Sequence, residues 1–406
     1  MRAARFIVGT CLALAPVGAA PGAALAAPAV LPAPAVRTAP LAPPACRLPP
    51  GVPRLTAEPW PQQRFDYDQL WKLTKGGGVT VAVVDSGVDG AHPQLAGKVT
   101  SVDVTKTTAS DCLGHGTEVA GIIGAKDQRD RNRPFVGIAP AAKILSVKYT
   151  NEGHVAGADP DLAKAIKTAA RTKGVRVINV SSTAPDTLDL REAVRYAQSR
   201  DILVVAAAGN VTDEQKGKEL PAYPAGYDGV IGVAAVDQGG QISDFSNQKT
   251  QIAVAAPGKD IISTWPGGGY GVDNGTSFAA PFVAGLAALI RSYRPGLTYQ
   301  QVANRILATA EGTSGVGSGR GMINPYEALT AEIPDNAPAV VAQPKIAVRP
   351  VRIDPPPPAD TRTRGIAVAV ALGCLGAAVC VAVAGAVIPL GRRRGWKPGR
   401  VDLPRD

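Results

Sequence analysis

Histidine is scarce in this chain, with three in 406 residues. Chemistry built on imidazole therefore has few places to stand, and no set of His, Cys, Asp and Glu shows metal-ligand spacing. Neither a metal nor another cofactor is expected. Aromatic residues make up only 5% and do not interleave with basic ones, which gives nucleic-acid binding little support. The formal charge of +10 does not alter this. Arg2 and Arg5 supply two units and the segment from Arg392 a net four, leaving an ordinary +4 for everything between. Cysteine is limited to five and methionine to two, and no internal repeat is visible. What the chain has in quantity is apolar residues, 45% of the total, enough for a large core.

The composition is segmental. Residues 1–26 carry a basic start, an apolar stretch from Phe6 to Ala20 and small residues ending Ala24-Leu25-Ala26, the pattern of a cleaved secretory signal peptide. Residues 27–61 are a Pro-rich extension. Residues 62–330 alternate apolar runs with turn residues and read as the globular domain. Residues 331–364, with Pro355-Pro356-Pro357-Pro358, read as an extended linker. From Gly365 to Gly391 no charge occurs over 27 residues, where about 20 cross a bilayer core, so this is read as a transmembrane helix. Arg392-Arg393-Arg394 follows at once and, by the positive-inside rule, makes residues 392–406 a cytoplasmic tail. The expected location is the cell membrane, crossed once, with the globular domain extracytoplasmic. Cys11 lies in the leader and Cys374 and Cys380 in the span. The exported part is left with Cys46 and Cys112, for which an oxidising compartment suggests one disulfide; two unpaired thiols are the alternative.

Four segments carry chemistry. Val79–Val84 is a β-branched run, broken only by Ala82, of the kind buried in a parallel sheet, and it ends on Asp85 before a glycine turn, at a strand's carboxyl end where α/β sites form. Asp89 sits inside the following turn and reads as structural. His115 stands between Gly114 and Gly116 at the start of an apolar helix and is the best-placed general base. His92, before Pro93, and His154, in a polar Gly-rich loop, lack that setting. Asn274-Gly275-Thr276-Ser277 leads into an apolar helix whose Pro281 fits a first turn, so the helix is expected to begin close to Ser277, with its N–H free for an oxyanion. Ile202–Ala208 is a second buried run ending at Gly209-Asn210, where a side-chain amide can donate to the same oxyanion.

In this order, Asp before His before Ser, the segments around Asp85, His115, Asn210 and Ser277 resemble those of the subtilisin-like serine proteases over about residues 76–330. The resemblance implies an α/β fold, a mostly parallel sheet with helices on both faces, and a triad of Asp85, His115 and Ser277 with Asn210 in the oxyanion hole. It also admits calcium bound through loop carbonyls that a sequence does not reveal. The whole layout, with a cysteine in the extension, another three residues before the histidine, and a C-terminal span, resembles the mycosins. They are membrane-anchored proteases associated with type VII secretion. That implies protein substrates outside the cytoplasm and a secretion-complex partner; the alternative is a structural component whose proteolysis is secondary. Two departures stand out. Val180-Ser181-Ser182-Thr183-Ala184 replaces the usual Gly-rich edge of the substrate pocket, which would narrow it. The second disulfide of some mycosins has no cysteines here.

Overall fold

A computed structural model describes residues 48–131, 133–152, 160–312, 316–334, 361–397 and 399. The leader, most of the linker and His154 lie outside them. The chain divides into two units, Met1–Pro344 and Lys345–Asp406.

In the first unit the short helices α1 (Trp60–Phe65) and α2 (Tyr67–Leu70) precede β1 (Thr80–Asp85) and β2 (Val99–Asp103). Then come α3 (His115–Gly124), β3 (Lys143–Lys148), α4 (Pro160–Arg171), β4 (Val175–Val180), α5 (Leu188–Ser199), β5 (Leu203–Ala207), β6 (Ile231–Val236) and β7 (Val254–Pro257). A hairpin, β8 (Ile261–Trp265) and β9 (Gly269–Asp273), leads to α6 (Thr276–Tyr293), α7 (Tyr299–Ala308) and α8 (Pro325–Thr330). Seven strands form one sheet in the order β2-β3-β1-β4-β5-β6-β7. Every neighbouring pair is parallel.

This is a subtilisin-like α/β fold, and the reason lies in the strands. Their apolar residues alternate between two cores as period-2 geometry requires. Val81, Val83, Leu203 and Val205 face a core shared with α3 and α6, whereas Ala82, Val84, Val204 and Ala206 face one shared with α4 and α5. With both faces covered, the central strands are apolar along most of their length, with Ser146 and Lys148 in β3 and Asn179 in β4 among the buried polar exceptions. Helix α6 runs through the larger core with all its residues from Thr276 to Arg291 buried. Loops at the carboxyl ends of β1 and β5 and the N-terminus of α6 therefore converge, which positions the site.

The segment assigned to the extension joins this body before residue 62. The Trp60 helix is already part of it, with Phe65 edge-on to Phe282 at 6.2 Å. Val52 exchanges backbone hydrogen bonds with Tyr270 at 2.8 and 2.9 Å, and the Pro49 carbonyl accepts Trp265 Nε1–H at 2.8 Å.

In the second unit one helix, α9 (Thr361–Arg393), contains Gly365–Arg393, the one candidate membrane span among the described residues. At about 1.5 Å per residue its length exceeds the roughly 30 Å of a hydrocarbon core. It runs two residues beyond the expected Gly391 and carries Pro389 within it.

Candidate active site

Asp85 ends β1 and is 3% exposed. Its Oδ1 lies 2.7 Å from His115 Nδ1. An ionised carboxylate only accepts, so Nδ1 carries the proton and donates, which leaves Nε2 as the basic nitrogen. The same Oδ1 accepts the Ser86 N–H at 2.7 Å. His115 opens α3, and the glycines on either side are there for close approach. Gly114 has φ +86°, and a Cβ on it would lie 2.5 Å from Trp265; one on Gly116 would lie 2.0 Å from the Gly87 carbonyl. Phe278 meets the imidazole edge-on at 5.3 Å.

Asp111, four residues before His115, organises this loop. Its Oδ1 accepts N–H from Leu113 at 3.0 Å and Gly114 at 2.9 Å, and its Oδ2 accepts Thr117 N–H at 2.9 Å and Thr117 Oγ–H at 2.6 Å. Ser86 Oγ lies 2.9 Å from Asp111 Oδ1 and 3.2 Å from Asp85 Oδ1, linking the two carboxylates through one hydroxyl. Asp111 thus supplies the cap that Gly114, with no side chain, cannot give α3. Asp111→Ala would strand several buried donors, and we expect a loss of about 3 kcal/mol or more, a fall of roughly 6–12 °C in Tm of the detergent-solubilised chain. A change within 2 °C would contradict this role.

Burial lowers the His115 pKa, but the charge and hydrogen bond of Asp85 outweigh it, helped by Glu118 and Asp111, and raise it from 6.5 to about 9. The protonated pair stabilises the fold fully below the unfolded imidazole value, and that contribution is lost as pH rises through the folded value. A base must be neutral, so kcat/KM should climb with pH through an acidic limb displaced above neutrality. A limb at or below pH 6.5 would show that the Asp85 contact does not govern His115. Glu118, one turn along α3, is buried and raised to about 8, chiefly by burial and then by the charge of Asp273.

Ser277 is the second residue of α6, one residue beyond a start at Thr276. Pro281 consequently lies past the first turn, unlike the expectation from sequence. Having no N–H, Pro281 cannot pair with the carbonyl four residues earlier, which is that of Ser277. That carbonyl instead accepts Ser181 Oγ–H at 2.6 Å. Ser277 Oγ donates to the Ser181 carbonyl at 3.0 Å. Two residues 96 apart in sequence are therefore bonded in both directions, and nothing in the motif around Ser277 indicates this. Asn210 follows β5 and is exposed. Its Oδ1 accepts Thr276 N–H at 2.9 Å and Thr276 Oγ–H at 3.0 Å, which fixes the amide and leaves Nδ2 as the donor that remains.

The residues set aside in the sequence fall elsewhere. Asp89 accepts Ala91 N–H and Gly267 N–H, each at 2.9 Å, and holds its turn. His92 is buried, with Nε2 3.1 Å from the Gly269 carbonyl and its pKa lowered, first by burial. Cys374 and Cys380 are free. Cys112 is not among the free cysteines, and its expected partner Cys46 lies outside the described residues. No group of three or more His, Cys, Asp and Glu suited to a metal occurs among the described residues.

The class of enzyme comes from likeness to known proteins. The subtilase family model matches residues 76–336, and the chain belongs to that family, as a serine endopeptidase of mycosin-like type. It is 34% identical to Mycosin-4 of Mycobacterium tuberculosis over 390 residues, 85% of this chain and 84% of that protein. It is 41% identical over 278 residues to a thermophilic serine proteinase from a Bacillus species, covering 66% of each chain. The crystal structure of MycP1 from the ESX-1 type VII secretion system superposes with a TM-score of 0.62 at 32% identity, over 71% of this chain and 91% of that one.

Proposed function

We infer that the chain is a membrane-anchored serine endopeptidase acting on secreted or other extracytoplasmic proteins through Asp85, His115 and Ser277. The observation that carries the reading is the 2.7 Å contact between His115 Nδ1 and Asp85 Oδ1, and Phe278, the residue after Ser277, packs edge-on against the same imidazole at 5.3 Å. Ser277 Oγ attacks the scissile carbonyl and passes its proton to His115 Nε2. Before it can, its hydroxyl hydrogen must leave the Ser181 carbonyl, a bond worth about 1 kcal/mol net. The carbonyl oxygen, becoming negative, is held by Asn210 Nδ2 and the Ser277 N–H at the α6 start. Asp85 stabilises the imidazolium, which returns the proton to the leaving amine; water then repeats the sequence on the acyl-enzyme.

The anchor in this reading is Gly365–Gly391, with residues 392–406 cytoplasmic, a signal peptide at residues 1–26 and a Cys46–Cys112 disulfide fastening the extension beside His115. The likeness to Mycosin-4 and to MycP1 of a type VII system supports an association with such a secretion complex. The test uses the full chain in its membrane. A fluorophosphonate should label it, the label should map to Ser277, and the labelled protein should resist carbonate extraction. A folded chain that takes no label at Ser277 would remove the triad, and release by carbonate would remove the anchor.

A further inference from the structure

We propose that Thr183 closes the specificity slot beside Ser277, so that the chain cleaves only after residues whose side chain is no larger than a methyl group: glycine or alanine. The proposal rests on the catalytic reading above. With the scissile carbonyl at Ser277 Oγ and its oxygen toward Asn210, the side chain of the residue supplying that carbonyl is flanked by two segments: residues 181–184, which touch Ser277 through Ser181, and residues 208–210, which touch Thr276 through Asn210. The space between them is the slot.

Gly209, with φ +97°, faces this slot, and what a single carbon on it would meet measures the width. Such a carbon would lie 3.4 Å from Thr183 Cγ2, 3.4 Å from Ala222 Cβ and 3.5 Å from Asn247 Nδ2. Those are contact distances, so the gap takes about one methyl group and no second layer of atoms. A glycine at position 183 would leave that side open.

The slot is also stiff. Its first wall is tied to the segment that carries Ala222 where Ala184 and Tyr223 exchange backbone hydrogen bonds at 2.8 and 3.1 Å. Its floor is tied by Thr250, buried, whose hydroxyl accepts the Ala222 N–H at 2.9 Å and donates to the Ala208 carbonyl at 2.8 Å. Asn247 Nδ2 donates to Leu220 at 2.8 Å, and its N–H donates to Gly209 at 2.9 Å. Widening the slot for leucine or phenylalanine would break several of these at once, so a large side chain is refused rather than accommodated.

Peptidyl diphenyl phosphonates ending in alanine or phenylalanine read this directly, because each inactivates the nucleophile at a rate set by how its last side chain fits. On the full chain in detergent, the alanine reagent should inactivate about 100-fold faster or more than the phenylalanine reagent. Thr183→Gly should reduce that ratio at least tenfold, and Thr183→Ala, which keeps a Cβ, should reduce it less. Fluorophosphonate titration counts folded, competent sites in each variant. Comparable rates for the two reagents, an unchanged ratio in Thr183→Gly, or exclusion of both by a chain that fluorophosphonate still labels would each overturn the proposal. Absence of fluorophosphonate labelling would instead indict the catalytic reading.

Discussion

Replacing Ser277 with alanine should reduce peptide hydrolysis by about 10⁵–10⁶-fold, abolish fluorophosphonate labelling and leave the fold almost untouched. The magnitude follows from the unit behaviour of a triad. Without the nucleophile, His115 and Asp85 have no proton to move, and only the oxyanion donors and substrate positioning remain. Stability should change little because Oγ makes one hydrogen bond, to the Ser181 carbonyl, whereas the bond that compensates for Pro281 uses the backbone oxygen of Ser277 and survives. A shift within about 1 kcal/mol is expected, seen as a Tm within a few degrees of the parent. Residual turnover within a hundredfold of the parent would mean that another residue is the nucleophile. The same variant separates protease from scaffold. If secretion persists in Ser277→Ala but fails on deletion of the whole chain, the structural role is the one the cell depends on.

How much of this could be read in the sequence depended on how local each feature is. The apolar runs ending at Asp85 and near Asn210 were legible because a strand covered on both faces has few polar positions to spare, and they form β1 and β5. A mostly parallel sheet is what the resemblance implies, and β1, β4 and β5 are successive parallel neighbours. The glycines around His115 were legible as points of close approach, though not what approaches: the ring of Trp265 and the Gly87 carbonyl. Features made by long-range contact were not legible. Asp111 looks like any loop acid until the loop folds around it. Lys148, at the end of a strand, would ordinarily be read as solvent-exposed, yet it is fully buried with Nζ 2.6 Å from the Ser110 carbonyl. Pro281 was read as marking a first turn because Ser181, which takes over the missing bond, is far away in sequence. The narrowed slot was half legible. Thr183 and Ala184 stood out against a glycine edge, but Ala222 and Thr250 complete it from another part of the chain.

Asp85→Asn should lower kcat by up to about 10⁴-fold, the loss that follows removal of this carboxylate from a triad, and at the same time move the acidic limb of the pH profile to lower pH. His115 Nδ1–H and Ser86 N–H converge on Oδ1 at 2.7 Å each, with the Ser86 hydroxyl beside them at 3.2 Å, and Oδ2 has no hydrogen-bond partner among the described residues. The amide oxygen of asparagine can therefore take the Oδ1 position and its NH₂ the other, which preserves the imidazole tautomer. What is lost is the charge. His115 is raised because the Asp85 charge and hydrogen bond overcome the opposing effect of burial; with a neutral amide, burial has less against it, and the imidazolium becomes harder to form. More of the histidine is then neutral at any given pH, so the limb falls. Each neutral imidazole is nonetheless a poorer base, because the cation it must become in the transition state has lost its counter-charge. The two effects oppose each other at low pH, so the ratio of parent to variant should be smallest there and grow as the parent's own limb is passed. Tm above pH 9 should be nearly that of the parent, since the parent's ion pair has by then discharged. A variant whose limb stays in place, or rises, would show that the charge of Asp85 is not what holds His115 protonated, and that the 2.7 Å contact serves only to aim the ring.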